Sequence, residues 1–255
     1  MGSAPLIALD STDPEAVDGR QIRAAAFQDV RLAYTATVLE GLGRAASGRA
    51  LVVGSGRGLL ARGLARLGFD VTAVDPSPTA TTMARTAAER DGLEIAHRTA
   101  PAEDPGLSAA AFDLIYLADT LEITADPDRV IEQAARALKP DGVLVYDTVN
   151  RTPVSRLVYL VAFQRLPMTR VVPAGRYAAR RLRTPAEVVA LLARHGLRND
   201  DICHFKPRSV RSLLAAVLGR RRGRITDDEI AGVVGFELAP GTHPLVTYLG
   251  YARTA

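Results

Sequence analysis

Apolar residues along this chain keep two different periods. In the segment 15–47 they recur at helical spacing through RQIRAAAFQDVRLAYTATVLEGL, and glycines close the run. Beyond it, short continuous apolar runs alternate with amphipathic ones. RALVV (49–53) reads as a strand and LLARGLARLG as a helix ended by Gly68. DVTAVD (70–75) is a second strand, followed by a helix with Ser77 as its cap, Pro78 in its first turn and Gly92 at its end. LEIAHRT (93–99), FDLIYLA (112–118) and VLVYDTV (143–149) read as the next three strands, the last preceded by the helix DPDRVIEQAARALKPDG. TPAEVVALLARHG (184–196) carries Thr184, Pro185 and Glu187 in the spacing of a capping box. LRNDDICHFK and HPLVTYLGYAR look like late strands, the final one placed antiparallel at the sheet's edge.

Strands separated by helices need crossover connections. The expectation is therefore an α/β fold, a doubly wound and mainly parallel sheet covered on both faces. The 255 residues suit a single domain, with the 15–47 helical segment ahead of the sheet and a helical insert or lid expected at 151–183, which interrupts the alternation. Hydrophobic residues at 47% and charged residues at 24% describe a globular chain. No apolar run nears the roughly 20 residues of a membrane span, and the start lacks the basic and apolar regions of a signal peptide. With one cysteine, Cys203, no internal disulfide can form, and a cytoplasmic location with a plain structural thiol is expected. The net charge of +4 comes almost wholly from arginine, since lysine stands only at Lys139 and Lys206. Aromatics at 5% without tryptophan offer few stacking partners beside those cations, so nucleic-acid binding is not expected.

The candidate chemistry begins at VVGSGRG. A loop that leaves a strand and turns at once into a helix, with a ligand against its backbone, has no room for side chains. Gly54, Ser55 and Gly56 occupy that place, and Asp75 ends the second strand 21 positions after Gly54. A carboxylate there is positioned to accept two hydrogen bonds from a ribose diol. The spacing is G-x-G-x-G, whereas the dinucleotide fingerprint places its third glycine one residue later. The alternative is a tight turn without a ligand.

VVGSGRG, AVDPSP, AEDPGLSAAAFDLIYLADTLE and ALKPDGVLV, in this order, resemble the class I S-adenosylmethionine-dependent methyltransferases. The resemblance implies a seven-stranded Rossmann-like sheet and S-adenosylmethionine as cofactor, released as S-adenosylhomocysteine. It implies Gly54, Ser55 and Gly56 at the methionine moiety, Asp75 on the ribose with Pro76 beside it, Ala102 and Glu103 at the adenine, and the Leu117 carbonyl at the methionine ammonium. FQDVRLAY (27–34) and the stretch from Val149 to Leu197 are closer still to the UbiG-type O-methyltransferases of ubiquinone biosynthesis. That similarity spans roughly residues 20–205 and implies Arg31 as a ligand of the cofactor carboxylate. The family's E-x-x-E-H pattern, implicated in metal binding, reads Asp119, Glu122 and Ile123 here. Without the histidine, metal dependence is not expected, although two carboxylates can still hold a hard cation such as Mg2+. Asp119 and Glu122 are otherwise catalytic candidates beside the acceptor, or caps of the next helix.

The insert 151–183 interleaves apolar residues with eight arginines. Such a segment serves as a lid, or as a peripheral contact with an anionic membrane. GRRRGR (219–224) reads as a solvated loop. His97 and His195 read as structural, and His204 and His243 stay unassigned, with no Ser/His/Asp or Cys/His arrangement in view. The expected activity is O-methylation of a hydrophobic phenol, quinol or enol. C- or N-methylation, a cofactor-binding protein without catalysis and an NAD-type oxidoreductase are the alternatives.

Overall fold

The computed structural model describes residues 5–254. Helix α1 (Gly19–Gly41) precedes a sheet built from β1 (Arg49–Val53), β2 (Asp70–Asp75), β3 (Ile95–Thr99), β4 (Phe112–Leu117), β5 (Leu138–Val149), β6 (Leu197–Pro207), β7 (Phe236–Ala239) and β8 (Thr247–Thr254). Their spatial order is β3-β2-β1-β4-β5-β8-β6-β7. The first five strands are parallel, and β8 runs antiparallel between β5 and β6. The expected doubly wound sheet is present, with eight strands among the described residues rather than seven. The eighth is the short edge strand β7, four residues whose apolar content does not separate them from loop. The final strand is not at the edge: it pairs with β5 on one side and β6 on the other.

Each central strand is buried on both faces and alternates its side chains between two cores. Leu51, Val53, Ile115 and Leu117 join Val130, Ile131, Val188 and Leu192 from α4 (Pro127–Ala137) and α6 (Pro185–Arg194). Ala50, Val52, Leu114 and Tyr116 face Phe27, Val30, Leu60 and Leu64 from α1 and α2 (Leu59–Leu67). Helix α3 (Pro78–Arg90) follows β2 and is capped by Ser77, whose Oγ accepts from the Ala80 amide at 3.2 Å. The capping box at Thr184 and Glu187 is formed as its spacing predicts.

The helical segment is shorter than the 15–47 expected. Asp18 caps α1 by accepting from the amides of Arg20 and Gln21. Residues 5–17 instead form a strap closed by a bridge between Ile7 and Val17. The insert is likewise mostly irregular: a short α5 (Pro153–Arg156), a π-turn at Leu157–Ala162 and a 3-10 turn at Ala179–Arg181. After β6 come α7 (Val210–Arg221) and α8 (Ile230–Val233). GRRRGR is only in part the solvated loop expected: Arg222, Gly223 and Arg224 form an exposed turn. Its first residues end α7, and Arg220 is buried, donating to Asp227 Oδ1 at 2.6 Å and to the Ala16 carbonyl at 2.6 Å. Asp227 in turn accepts from the Asp18 amide at 2.9 Å. The region after β6 thus clamps the strap and the start of α1.

Gly54 and Gly56 both adopt positive φ, +77° and +54°. A Cβ at Gly54 would stand 2.4 Å from the Ala118 carbonyl oxygen and 2.6 Å from Thr120 Oγ1. At Gly56 the nearest atoms belong to the Arg20 guanidinium, at 3.5 Å or beyond. Gly54→Ala is expected to cost more than about 2 kcal/mol, from a backbone clash added to left-handed strain, whereas Gly56→Ala costs about 1 kcal/mol from strain alone. Chemical denaturation of the two variants checks this order; equal losses would contradict it.

Candidate functional site

The order of the parallel strands reverses between β1 and β4, which opens a crevice at their carboxyl ends. Asp75 stands there at the end of β2, fully buried. Its Oδ2 accepts from the Gly56 amide at 2.8 Å and its Oδ1 from the Ser77 amide at 2.9 Å. Two backbone donors thus fix the carboxylate, leaving an edge on which a pair of neighbouring donors can sit. The Arg20 guanidinium occupies that edge, with Nη1 3.1 Å from Oδ1 and Nη2 on Oδ2. Arg20 Nη1 also reaches Asp10 at 3.2 Å, and Arg57 from the glycine loop donates to Asp18 at 2.8 Å. Strap and helix start close the crevice to a space of about 10 Å³, bordered by Gly54, Ser55, Gly56, Arg31 and Asp119. That volume holds about one water molecule.

A second cluster lies deeper, where α1 crosses the ends of β4 and β5. Arg23 Nε stands 2.5 Å from Asp119 Oδ1, and Arg23 Nη2 stands 2.6 Å from Glu122 Oε1. Arg31 Nη2 lies 2.7 Å from Asp119 Oδ2 and donates to Asp147 Oδ1 at 2.8 Å. Glu122 Oε2 accepts from Thr148 Oγ1 at 3.0 Å. Asp119 itself is held at φ +49°, in the left-handed region that a non-glycine residue enters at a cost. Burial opposes ionisation of Asp119, but Arg23 and Arg31 outweigh it and hold the carboxyl well below its usual range. For Asp147 burial wins, even against Arg31, and pushes the carboxyl up to about 7. Burial also raises Glu122. Three carboxylates face two guanidiniums, so the cluster holds a proton near neutral pH.

On the far side of α1 is an apolar cavity of about 400 Å³. Phe27, Tyr159, Phe163, Tyr177, Phe205 and Phe236 supply its aromatic wall. Arg23 also borders it, its guanidinium carbon 5.1 Å from the Phe27 ring centre and 5.2 Å from that of Tyr159. The first turns of α1 are therefore a partition: Arg20, Gln21 and Ala24 face the crevice, while Gly19, Ile22, Arg23 and Ala26 face the cavity.

Of the residues singled out in the sequence, Gly54, Ser55, Gly56, Arg31 and Asp119 border one space, with Asp75 beside it. Pro76 follows Asp75 and is exposed. Ala102 and Glu103 lie in the loop after β3, which is tied to β2 where the Ala100 amide donates to the Asp75 carbonyl at 3.0 Å. Glu103 accepts from Thr124 Oγ1. Leu117 ends β4, beside Val53 of β1. Arg31, implied as a ligand of the cofactor carboxylate, is paired here with the protein's own carboxylates. His204 borders the apolar cavity, where its Nδ1 lies 3.1 Å from Thr242 Oγ1, while His195 is paired with Asp128 and His243 is exposed. Cys203 is a buried thiol in β6.

Arg20, Arg23 and Asp147 escaped the sequence reading. A signal existed for two of them. Arg23, Phe27 and Arg31 recur every four residues along α1, so two cations stand in its apolar stripe, and Asp147 is the lone charge in VLVYDTV. Nothing in the sequence ties Arg20 to Asp75.

The groups present fit S-adenosylmethionine. Asp75 presents both oxygens to a two-donor partner, and the glycine loop leaves the backbone bare beside it. They do not fit a divalent cation. All four oxygens of Asp119 and Glu122 already face a guanidinium or a hydroxyl, and the third position of the motif is Ile123.

Residues 51–146 match the family model described as a methyltransferase domain. The ubiquinone biosynthesis O-methyltransferase of Xanthomonas euvesicatoria pv. vesicatoria (strain 85-10) is 35% identical over 186 residues, 72% of this chain and 75% of its own length. The enzyme of the same name from Xylella fastidiosa (strain 9a5c) is 32% identical over 182 residues, 70% of this chain and 69% of its own. Among solved structures, a SAM-dependent methyltransferase from Aquifex aeolicus superposes with TM-score 0.56 at 15% identity, covering 91% of this chain and 93% of that one. The [4+2]-cyclase SpnF superposes with TM-score 0.57 at 16% identity over 99% of both chains, so the fold alone does not specify the reaction.

The acidic cluster sets a pH dependence of stability. With the folded Asp147 carboxyl near 7 against an ordinary 3.8, the folded chain keeps a proton that the unfolded chain has released. The stability from this group is complete below about pH 4 and is lost as pH rises through 7. Asp147→Asn is therefore expected to gain in melting temperature relative to the parent protein between pH 5 and 8. A constant difference over that range would count against the buried proton.

Proposed function

Because this chain belongs to the S-adenosylmethionine-dependent methyltransferases, among the ubiquinone biosynthesis O-methyltransferases and their relatives, we propose that it methylates an oxygen of a hydrophobic phenol, quinol or enol. The observation that carries this reading is the apolar cavity of about 400 Å³. It lies across α1 from the cofactor crevice and is separated from it by Arg23 and the acidic cluster. Its volume falls within the roughly 300–1,000 Å³ of small-molecule sites, and its aromatic lining suits a ring or prenyl chain better than a charged acceptor.

In this reading Asp75 holds the cofactor ribose with Pro76 beside it, and Gly54, Ser55 and Gly56 flank the methionine moiety. Ala102 and Glu103 lie at the adenine, and Leu117 offers its carbonyl to the ammonium. Arg31 receives the cofactor carboxylate if it releases one of its two internal partners. When bound, S-adenosylmethionine supplies a sulfonium methyl carbon to the acceptor oxygen and leaves as S-adenosylhomocysteine. The chain's own part is to hold the acceptor in line with that carbon, exclude water, and accept the hydroxyl proton at Glu122, whose carboxyl burial raises, with Asp119 charged beside it.

Arg20 must leave Asp75 before a ribose can replace it. Arg20→Ala is therefore expected to tighten S-adenosylhomocysteine binding about fivefold, since a competing ion pair worth roughly 1 kcal/mol is gone. Asp75→Ala should weaken it at least about fivefold, from lost hydrogen bonds worth roughly 1–3 kcal/mol. Calorimetry reads both, and weaker binding by Arg20→Ala would make Arg20 a cofactor ligand instead. Incubation with S-adenosylmethionine and a 4-alkylcatechol should give the methyl ether by mass spectrometry. Cofactor binding without any transfer to oxygen, nitrogen or carbon acceptors would favour the cofactor-binding protein without catalysis.

We also assign the insert to peripheral contact with an anionic membrane. Leu157 and Met168 are 61% and 62% exposed, beside Arg156, Arg165 and Arg170, which are also exposed. No helix among the described residues is long and apolar enough to cross a membrane. The double variant Leu157→Glu/Met168→Glu should sediment with anionic vesicles about tenfold less than the parent protein, and unchanged sedimentation would remove the assignment.

A further inference from the structure

The geometry points to Arg23 as the cation that meets the acceptor's reacting oxygen, acting from between Asp119 and Glu122, so that the transfer runs without a divalent metal ion. The inference rests on the apolar cavity being the acceptor site. Arg23 borders that cavity and also touches Asp119, which borders the cofactor crevice. The Arg23–Asp119 contact therefore joins the lining of the two spaces. The wall is mostly apolar, and Arg23 is its charged residue on the α1 side, with His204 and Lys206 on β6.

The guanidinium is held for such a task. Two carboxylates grip one side of it, at 2.5 Å and 2.6 Å, and the Phe27 and Tyr159 rings pack against it. The remaining nitrogen, Nη1, makes one long hydrogen bond, to the Tyr177 hydroxyl at 3.3 Å. A guanidinium carries five N–H donors in a planar fork, so Nη1 has a donor to spare for an oxygen arriving from the cavity. Fixed packing and fixed carboxylates mean that little reorganisation accompanies the approach. The proton leaving that oxygen passes to Glu122, while Asp119 stays charged against Arg23, and the oxygen's electron pair forms the new bond to carbon as the carbon–sulfur pair returns to sulfur. Beside the two acids this chain has the apolar Ile123, and a guanidinium lies between them.

The test compares binding of 4-butylcatechol and butylbenzene to the protein saturated with S-adenosylhomocysteine, by calorimetry. The parent protein should prefer the catechol by at least tenfold, the scale of a hydrogen bond from a charged donor. Arg23→Met should erase that preference while binding butylbenzene as before. Arg23→Lys keeps the charge but loses the fork, and should retain an intermediate preference if the methionine variant does not fold. A preference that persists in Arg23→Met, or is fully kept without change in Arg23→Lys, overturns the role of Arg23. If neither compound binds the parent protein, the acceptor-site reading itself fails and this inference falls with it. Methylation of 4-butylcatechol should also be unchanged by excess EDTA, and loss of activity restored by Mg2+ would overturn the metal-free assignment.

Discussion

Five charged side chains buried under the first helix hold this molecule in its working arrangement. Asp119, Glu122 and Asp147 come from the ends of adjacent parallel strands and the loop between them, and Arg23 and Arg31 from the helix that crosses them. Removing such groups from water is costly unless each finds a partner of opposite charge, and removing one partner leaves a buried charge worth roughly 3–5 kcal/mol of destabilisation. The helix is thereby bound to one place at the carboxyl ends of β4 and β5. Its two guanidiniums also set the ionisation of the acids: Asp119 is kept charged, while Asp147, with a partner on one oxygen alone, keeps its proton close to neutrality.

That placement divides the site. The same turns of α1 present Arg20 to the crevice and Ile22, Arg23 and Ala26 to the apolar cavity. Whatever moves the start of the helix alters both spaces together. Its position is secured from the far end of the chain, where Arg220 and Asp227 hold Ala16 and Asp18. The residues after β6, which add nothing to the central sheet until β7, thus belong to the site through their grip on the strap.

The parallel sheet was readable because burial on both faces leaves continuous apolar runs such as RALVV and FDLIYLA, and because crossover helices carry their own caps at Ser77 and Thr184. The strand at 236–239 was not, since an edge strand half open to solvent needs no distinctive pattern. The placing of β8 between β5 and β6 was also out of reach, because order in a sheet is a matter of long-range pairing and leaves no local mark. The first half of the arginine run at 219–224 misled for a related reason. Composition marks Arg220 as a surface residue, and its burial depends on Asp227 and on three carbonyls of the strap more than 200 positions away.

The residues around the crevice were legible as types and spacings, since a bare loop after one strand and an acid at the end of the next are demands of local backbone geometry. What occupies them was not. Gly54 is demanded by the neighbouring Ala118 carbonyl, and Asp75 grips a guanidinium. The sequence alone determined the fold class, the bare loop at 54–56 and the acid at 75, because each depends on neighbours in the chain. Only the tertiary structure decided that Asp119 and Glu122 face arginines, that α1 stands between two spaces and that an apolar cavity lies behind it. Those facts arise where segments distant in sequence meet, and the strength of a buried charge depends on what it meets.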